Sequence, residues 1–366
     1  MQRLFGIEIN YSLALRARNI AIEITYGDFG NSYQMLPSYL CMLRMSNPDT
    51  LYDLEMKADG EFHHMFVALG QSMAAFGNSY LMPVIVVNGT HLKGMNSGIL
   101  FVAVTKDGNE GIFPLAVGLG PIENDESWTW FFHRPRSFFG QPDDLLIVSD
   151  QHKSIRNAAE CVYPNVPHGL CYYHLQKNLA HYGLHVAAVF KAAAYSYRSD
   201  DFHRNFSALE VLKVNAHTRL DTIGVERWAR SKCPVRRTSF MTSNAAETMN
   251  SRLLWARRLP VASLIESYRA ILEKWFDARC LSTASRSHEL IEACRIASHG
   301  FCWKIFQTIR VVGHIHGAIV PVPHPMYWNV PESISAYVVK PPDITEHAGH
   351  PKMSRARSAV EGPPKS

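Results

Sequence analysis

Three apolar runs rich in β-branched residues follow one another between residues 83 and 118, and they constrain the fold more than any other feature. The runs read PVIVVN, GILFVAVTK and EGIFPLAVG, and only short polar links separate the second from the third. Val and Ile favour pleated strands, and Asp107-Gly108-Asn109 is typical of a turn between two strands. The pattern predicts three consecutive strands in a meander.

Helical and strand patterns alternate after the meander. ESWTWFFHRPRSFF (126–139) is predicted to be a helix, DLLIVSD (144–150) a fourth strand, HKSIRNAAECVY (152–163) a helix and HGLCYYH (168–174) a fifth strand. The fold class is therefore predicted as α/β, with a mixed sheet built from a three-strand meander followed by β-α-β-α-β. This order is the ribonuclease-H-like (RNase H-like) topology.

The flanking regions complete a predicted domain plan. Residues 1–80 form a small α+β segment, with helices at 10–27 and 33–46 and two strands around the turn Ala58-Asp59-Gly60. The RNase H-like domain spans 81–260 and contains a helical insertion at about 175–240. Residues 261–320 are predicted as C-terminal helices, and 321–366 as a loose basic tail.

Composition excludes several classes of protein. Of the 366 residues, 47% are hydrophobic and 19% charged, which is typical of a folded chain rather than a disordered one. No apolar run reaches the roughly 18 to 20 residues of a membrane span, and the first residues lack a secretory signal pattern. Seven irregularly spaced cysteines do not indicate a disulfide framework, so a reducing compartment is expected. A net charge of +5 permits a nucleic-acid partner.

Two carboxylates stand where a sheet of this topology gathers ligands. Asp150 ends an apolar strand, and Glu247 lies in the first turn of a predicted helix that begins near Asn244. Carboxylates from a strand end and a later helix can hold the paired divalent metals that cleave phosphodiesters. Both also have a structural reading, because Asp150 can cap the following helix and Asn-x-x-Glu is a capping-box pattern.

Five ordered motifs resemble the Mutator-like element (MULE) transposases of plants, members of the DDE transposases of the RNase H-like superfamily. They are NGTHLKG (88–94) with the following GILFVAVTKDGNEGIFPLAVG, then ENDESWTWFF, VSDQHKSI, HGLCYYHLQKN and TSNAAETMNSRLLWARRLP. Similarity runs from about residue 5 to 320. The resemblance implies a catalytic triad at Asn88, Asp150 and Glu247, binding Mg²⁺ or Mn²⁺.

The first triad position departs from the family, which usually has Asp where this chain has Asn88. A neutral amide offers one weaker oxygen ligand and no charge, so repulsion between two cations is less well offset. Losing a charged ligand should cost more than the roughly 10–100-fold cost of losing an outer-shell partner of a metal. We therefore expect a degenerate triad with weak metal binding and little strand cleavage.

Two zinc questions accompany the resemblance. Cys171 and His174 match the family's C-x-x-H motif and are candidate zinc ligands, with His168 or Cys233 as further donors; a buried free cysteine is the alternative. Full-length relatives carry an N-terminal zinc finger and a C-terminal SWIM zinc finger, so the chain is expected to be truncated. Only Cys302, His314 and His316 stand in the SWIM region, which predicts a degenerate remnant.

The segment VERWARSKCPVRRTSF (225–240) is rich in Arg and Lys, and together with the basic residues around it this segment predicts contact with DNA phosphates. An ordinary solvent-exposed basic face is the alternative interpretation. The expected partners are transposon-end DNA and, by resemblance, further copies or intact relatives, in the nucleus and not at a membrane. Three functions stay open: a DNA-binding relic with impaired strand transfer, an active metal-dependent transposase, and a domesticated transcription-regulator-like protein. The predicted DNA-contact residues are Lys93, Arg227, Arg230, Lys232, Arg236, Arg237, Arg252, Arg257 and Arg258.

Overall fold

One mixed sheet organises the molecule. The computed structural model of the chain describes residues 10–77, 81–93, 95, 97–107, 110–140, 144–237, 239–296 and 319–342, with backbone alone for 11, 139 and 280–296. The sheet order is β1-β2-β5-β4-β3-β6-β7. Its strands are β1 Leu51–Met56, β2 Phe62–Ala68, β3 Val84–His91, β4 Ile99–Lys106, β5 Ile112–Gly120, β6 Leu146–Ser149 and β7 His168–Leu170.

Helices cover the sheet and form an excursion after β7. None of the helices in the described residues has the length and apolar composition needed to cross a bilayer. They are α1 Tyr11–Tyr26, α2 Phe29–Gln34, α3 Leu36–Ser46, α4 Gly70–Gly77, α5 Asp125–Phe139, α6 Lys153–Val162, α7 Tyr172–Asn178, α8 Leu184–Tyr195, α9 Ser199–Leu212, α10 Val214–Ile223, α11 Val225–Trp228, α12 Asn244–Arg252, α13 Val261–Ile296 and α14 Glu332–Ser335. Short 3₁₀ turns occupy Ala180–Tyr182, Arg230–Lys232, Ala256–Arg258 and Pro325–Tyr327.

The central strands confirm the predicted mixed α/β pattern. β3, β4 and β5 pair antiparallel in sequence order, and β6 and β7 then add in parallel to the other side of β3. The predicted fifth strand is wrong in extent, because pairing stops at Leu170 and α7 begins at Tyr172. The Tyr172 amide donates to the Met241 carbonyl, which turns the chain out of the sheet at that point.

The predicted N-terminal hairpin is present, and it extends the same sheet. β1 and β2 pair antiparallel, and β2 pairs with β5 through Met65, Phe66 and Val67. Its buried residues belong to the core that the central strands share with α5, α6 and α13. The sequence pattern identified both strands but did not predict that they would share a sheet with the meander.

The helical excursion after β7 has a small core of its own. Trp228 is fully buried at its centre and packs against Phe190, Phe202 and Phe206. The Trp228 indole donates to the Leu220 carbonyl, so its polar atom is satisfied inside this core. The excursion is therefore a packed helical unit that starts and ends beside the edge strand β7.

Residues 319–342 return to the N-terminal region, which corrects the prediction that the chain is loose from 321 onward. The Asn47 side chain bonds both the N–H and the carbonyl of Val320, at 2.8 and 2.9 Å. Lys340 exchanges backbone hydrogen bonds with Gly60 and Phe62 at the hairpin turn. The predicted SWIM remnant lies almost entirely, and residues 343–366 lie wholly, outside the described residues.

Candidate active site

Asn88 and Asp150 lie at the same level on neighbouring parallel strands. Val86 of β3 is paired with Val148 of β6, and each polar residue follows its valine by two positions. Adjacent strands are about 4.8 Å apart, so the two backbones stand side by side at the carboxyl ends of the central strands. Because β6 ends at Ser149 while β3 continues to His91, this part of β3 extends beyond its pairing with β6.

Helix α12 brings Glu247 to the same place through a residue that the sequence analysis missed. The Asn250 Nδ2 donates to the Asn88 Oδ1 at 2.8 Å. Glu247 precedes Asn250 by three residues, so both project from one face of α12. That spacing is visible in the sequence and could have identified Asn250. The structure therefore places the three predicted triad positions around one strand end.

Asp150 is not the cap of the helix that follows it, and Glu247 does not form the capping box predicted with Asn244. The Asp150 Oδ1 accepts from the His152 amide at 2.9 Å, but the helix cap is His152, which makes no side-chain bond. Ser243, not Asn244, caps α12, and its hydroxyl donates to the Glu247 Oε1 at 2.8 Å. These bonds fix one oxygen of each carboxylate and orient both groups.

Cys171, His174 and Glu247 form a second cluster beside the first. One donor atom from each lies within 4.8 Å of the others, and the His174 Nε2 is 3.9 Å from the Glu247 Oε1. A hydrogen bond with Cys171 raises the pKa of His174 against the opposing effect of burial, and the charges of Glu247 and Asp150 add to the rise. Burial alone would raise the pKa of the Cys171 thiol, but hydrogen bonds from His174 and Ser243 outweigh it and lower that pKa.

His168 is committed to a different network, which removes it from the candidate zinc ligands. Its Nε2 is 2.8 Å from the Ser149 hydroxyl, and its Nδ1 is 3.2 Å from the Arg227 guanidinium. The Ser149 hydroxyl donates to the Asp150 carbonyl, so Nε2 carries the imidazole proton. Burial, and then the charges of Arg227 and Arg237, lower the pKa of His168 to about 3. The imidazole is neutral and ties β7 to the end of β6.

Two of the predicted DNA-contact residues are buried, and that prediction is wrong for them. The Arg237 guanidinium donates to the carbonyls of Phe240 at 3.0 Å, Arg227 at 2.5 Å and Leu170. Arg257 donates to the His91 carbonyl at 3.0 Å and to the Thr90 hydroxyl. The sequence cannot reveal this role, because a buried arginine that donates to backbone carbonyls does not need an acidic residue as its partner. Both residues hold loops against the sheet.

Three predicted residues that are not buried lie on α12 or in segments next to it, and they are here called the Lys93–Arg258 surface. It consists of exposed Lys93 and Arg252 and half-buried Arg258, and the Lys93 amide donates to the Arg257 carbonyl at 2.8 Å. Trp255, half of whose surface is exposed, lies between the two arginines in sequence. Charged and aromatic side chains together suit phosphates and unstacked bases.

The remaining residues predicted to contact DNA lie on or near the helical unit. They differ in whether their side chains already have partners within the protein. Arg236 is exposed. Arg230 stacks on Tyr197 at 4.3 Å, Lys232 bonds the Ser199 hydroxyl at 2.8 Å, and Arg227 is engaged by His168. Arg236 is therefore the residue of this segment that is best placed to meet a phosphate.

A further carboxylate, which the sequence analysis did not single out, approaches β3 at Gly89. A Cβ atom at Gly89 would stand 2.5 Å from the Glu123 Oε1, so only glycine admits this approach. The same oxygen accepts from the Trp128 indole at 3.2 Å. Successive strand residues point to opposite faces, so Glu123 reaches β3 from the face opposite to Asn88.

The comparisons with known proteins give one family match, which is compatible with the mixed α/β fold. No curated protein matches the chain. Residues 84–178 match the model of the MULE transposase domain, a family whose domains are metal-dependent in general. The matched stretch runs from β3 to α7 and holds Asn88, Asp150, Cys171 and His174, while Glu247 lies beyond it. Over residues 84–178, the chain is thus similar to the MULE transposase domain.

Proposed function

We propose that this chain is a DNA-binding protein derived from a MULE transposase, with strand cleavage and transfer impaired by Asn88. The observation that carries the proposal is the position of Asn88, level with Asp150 and bonded to the helix that bears Glu247. The order β5-β4-β3-β6-β7, with three antiparallel strands followed by two parallel ones, supports an RNase H-like fold. The nucleus is the proposed location, because DNA is the proposed partner.

The donor set fits a divalent metal only in part. Asp150 and Glu247 would hold the ion, and each carboxylate has an oxygen beyond the one fixed by His152 or Ser243. Asn88 would contribute an amide oxygen that already accepts from Asn250. A bound Mg²⁺ or Mn²⁺ would supply activation of the attacking oxygen and stabilisation of the leaving one. With one formal charge fewer at residue 88, we propose that the ion binds weakly.

The protein's own residues can still hold DNA without the metal. Lys93, Arg252 and Arg258 would neutralise phosphates beside the strand end, and the exposed face of Trp255 would stack on an unpaired base. Cys171 and His174 are proposed as a hydrogen-bonded thiol–imidazole pair rather than a zinc site, because this cluster offers only three donors where a structural zinc site has four. Self-association and a role as a transcription regulator remain proposals from the resemblance alone.

A second candidate function, an active metal-dependent transposase, is favoured by Glu123. Its carboxylate lies against Gly89, one residue from Asn88 but on the opposite face of β3, and under this alternative it adds negative charge near the strand end without replacing the ligand at residue 88. Under this alternative, Glu123→Gln would abolish cleavage of transposon-end DNA. Under the first proposal, the same substitution would change little, because the wild type already cleaves little.

The test compares wild type with Asn88→Asp for Mn²⁺ binding by calorimetry and for nicking of transposon-end DNA. Asn250 can donate to either side chain, so the variant should fold as the wild type does. We expect at least a 100-fold gain in Mn²⁺ affinity, because a charged ligand should outweigh the roughly 10–100-fold effect of outer-shell partners, together with the appearance of nicking. Asn215→Asp, at an exposed position of α10, adds the same charge elsewhere and is the matched control. If wild type binds and nicks as well as Asn88→Asp, the impairment is refuted.

A further inference from the structure

A β-bulge in the N-terminal hairpin brings two adjacent histidines against one carboxylate. The register pairs Met56 with Phe62 but Glu55 with His64, so His63 is the additional residue on β2. In a regular strand, His63 and His64 would point to opposite faces of the sheet. A bulge places two residues opposite one and re-aims a side chain. Such distortions are over-represented at functional sites.

The three side chains converge on one point. The Glu55 Oε2 is 3.0 Å from the His64 Nδ1 and 3.7 Å from the His63 Nδ1. The two imidazole rings are edge to face, with centroids 4.1 Å apart. One nitrogen from each histidine and one carboxylate oxygen lie within 4.8 Å of one another. We propose that Glu55, His63 and His64 form a binding site for a zinc-class divalent metal ion.

The surroundings of His64 prepare it as a ligand. Its side chain is 1% exposed, and Trp130 stacks on it with centroids 4.7 Å apart. The Ser127 hydroxyl is 3.0 Å from Nε2, so that nitrogen can carry the proton and leave the lone pair of Nδ1 toward Glu55. Outer partners of this kind fix the tautomer and ring orientation of metal-bound histidines. His64 is thus a buried, oriented donor.

The chemistry of the donors selects the ion. Two imidazole nitrogens and one carboxylate oxygen form a His₂Glu set, which suits Zn²⁺ with a fourth position open to water. Two of the three donors are imidazole nitrogens and only one is an oxygen, so the set suits Mg²⁺ poorly. Arg134 lies over Trp130, next to His64, and its positive charge would oppose a bound cation. The ion pair of Arg134 with Asp53 offsets that charge. This site precedes the residues that match the MULE domain and is independent of the proposed cleavage chemistry.

The test is a Zn²⁺ titration of the full chain, stripped of metal, in competition with a chromophoric chelator. Glu55→Gln and His63→Ala change partly exposed residues, whereas the buried His64 is left intact because its loss could unfold the hairpin. Each variant should bind Zn²⁺ at least about 100-fold more weakly. His185→Ala, at an exposed position of α8, is the control and should bind as wild type does. Circular dichroism and thermal melting of each apoprotein report whether the variants remain folded.

Cobalt substitution separates this site from the cluster at Cys171. Co²⁺ held by Glu55, His63 and His64 should show visible d–d bands without a thiolate-to-cobalt charge-transfer band. Glu55→Gln should lose the d–d bands. The proposal is overturned if wild type binds no Zn²⁺, if both variants bind as tightly as wild type, or if all bound Co²⁺ shows the thiolate band.

Discussion

Arg237→Met should destabilise the protein by about 3 to 5 kcal/mol. The buried guanidinium donates to the carbonyls of Phe240, Arg227 and Leu170, which join the end of β7 to the loop before α12. Each carbonyl left without a donor costs about 1 to 3 kcal/mol. Burial lowers the pKa of Arg237 to about 10, and removing this desolvated charge offsets part of the loss. Methionine keeps much of the volume, so the cost of a cavity is small.

The measurement is urea unfolding followed by circular dichroism and tryptophan fluorescence. Arg236→Met is the matched control, since the adjacent side chain is exposed and should change stability by no more than about 0.5 kcal/mol. Trp228 lies in the core beside these carbonyls, so the fluorescence transition should move with the circular dichroism transition. A loss below about 1 kcal/mol in Arg237→Met would show that these three bonds do not hold the loop, and the reasoning would fail.

Two further predictions concern acid stability and DNA. The pKa of His168 is about 3 in the folded protein against an ordinary 6.5, so below pH 6.5 the unfolded chain takes up the proton first. Its contribution to stability is present above pH 6.5 and is lost as the pH falls toward 3, at about 1.4 kcal/mol per pH unit. His168→Gln should flatten that slope in urea unfolding, and an unchanged slope would contradict the assignment. The triple variant Lys93→Gln, Arg252→Gln and Arg258→Gln should weaken binding of transposon-end DNA and reduce the salt dependence by up to about 3 units. Arg44→Gln, exposed on α3 at the opposite edge of the sheet, should leave both unchanged, and equal salt slopes in all variants would remove the Lys93–Arg258 surface from the interface.

Local pattern was sufficient to predict most of the sheet. The runs that became β3, β4 and β5 are apolar and β-branched, and their burial on both faces follows from that composition. The hairpin was recognisable from its turn. Its partner in the sheet was not, because pairing between β2 and β5 depends on contacts some fifty residues apart that no local pattern encodes. The shortness of β7 was likewise set by the bond from Tyr172 to Met241.

Site residues that belong to a sequence motif could be predicted from the sequence. Residues whose role depends on packing in the fold could not. Asn88, Asp150 and Glu247 came from motif positions, and the structure brings them to one strand end. Arg237 has the same charge pattern as exposed Arg236, and only the fold distinguishes a buried side chain from a solvated one. The β-bulge at Glu55 was invisible in the sequence, since a one-residue change of register leaves the strand pattern intact.

The return of residues 319–342 has a consequence for synthesis on the ribosome. Asn47 bonds Val320, and the hairpin turn at Gly60 bonds Lys340, so partners separated by more than 270 residues complete the N-terminal region. Chains emerge N-terminus first, at about 5 to 20 residues per second, and so the early helices and hairpin wait on the order of 15 to 60 seconds for these contacts. A nascent chain therefore carries an unfinished first segment until Lys340 has left the exit tunnel, and chaperones have that interval in which to bind the segment.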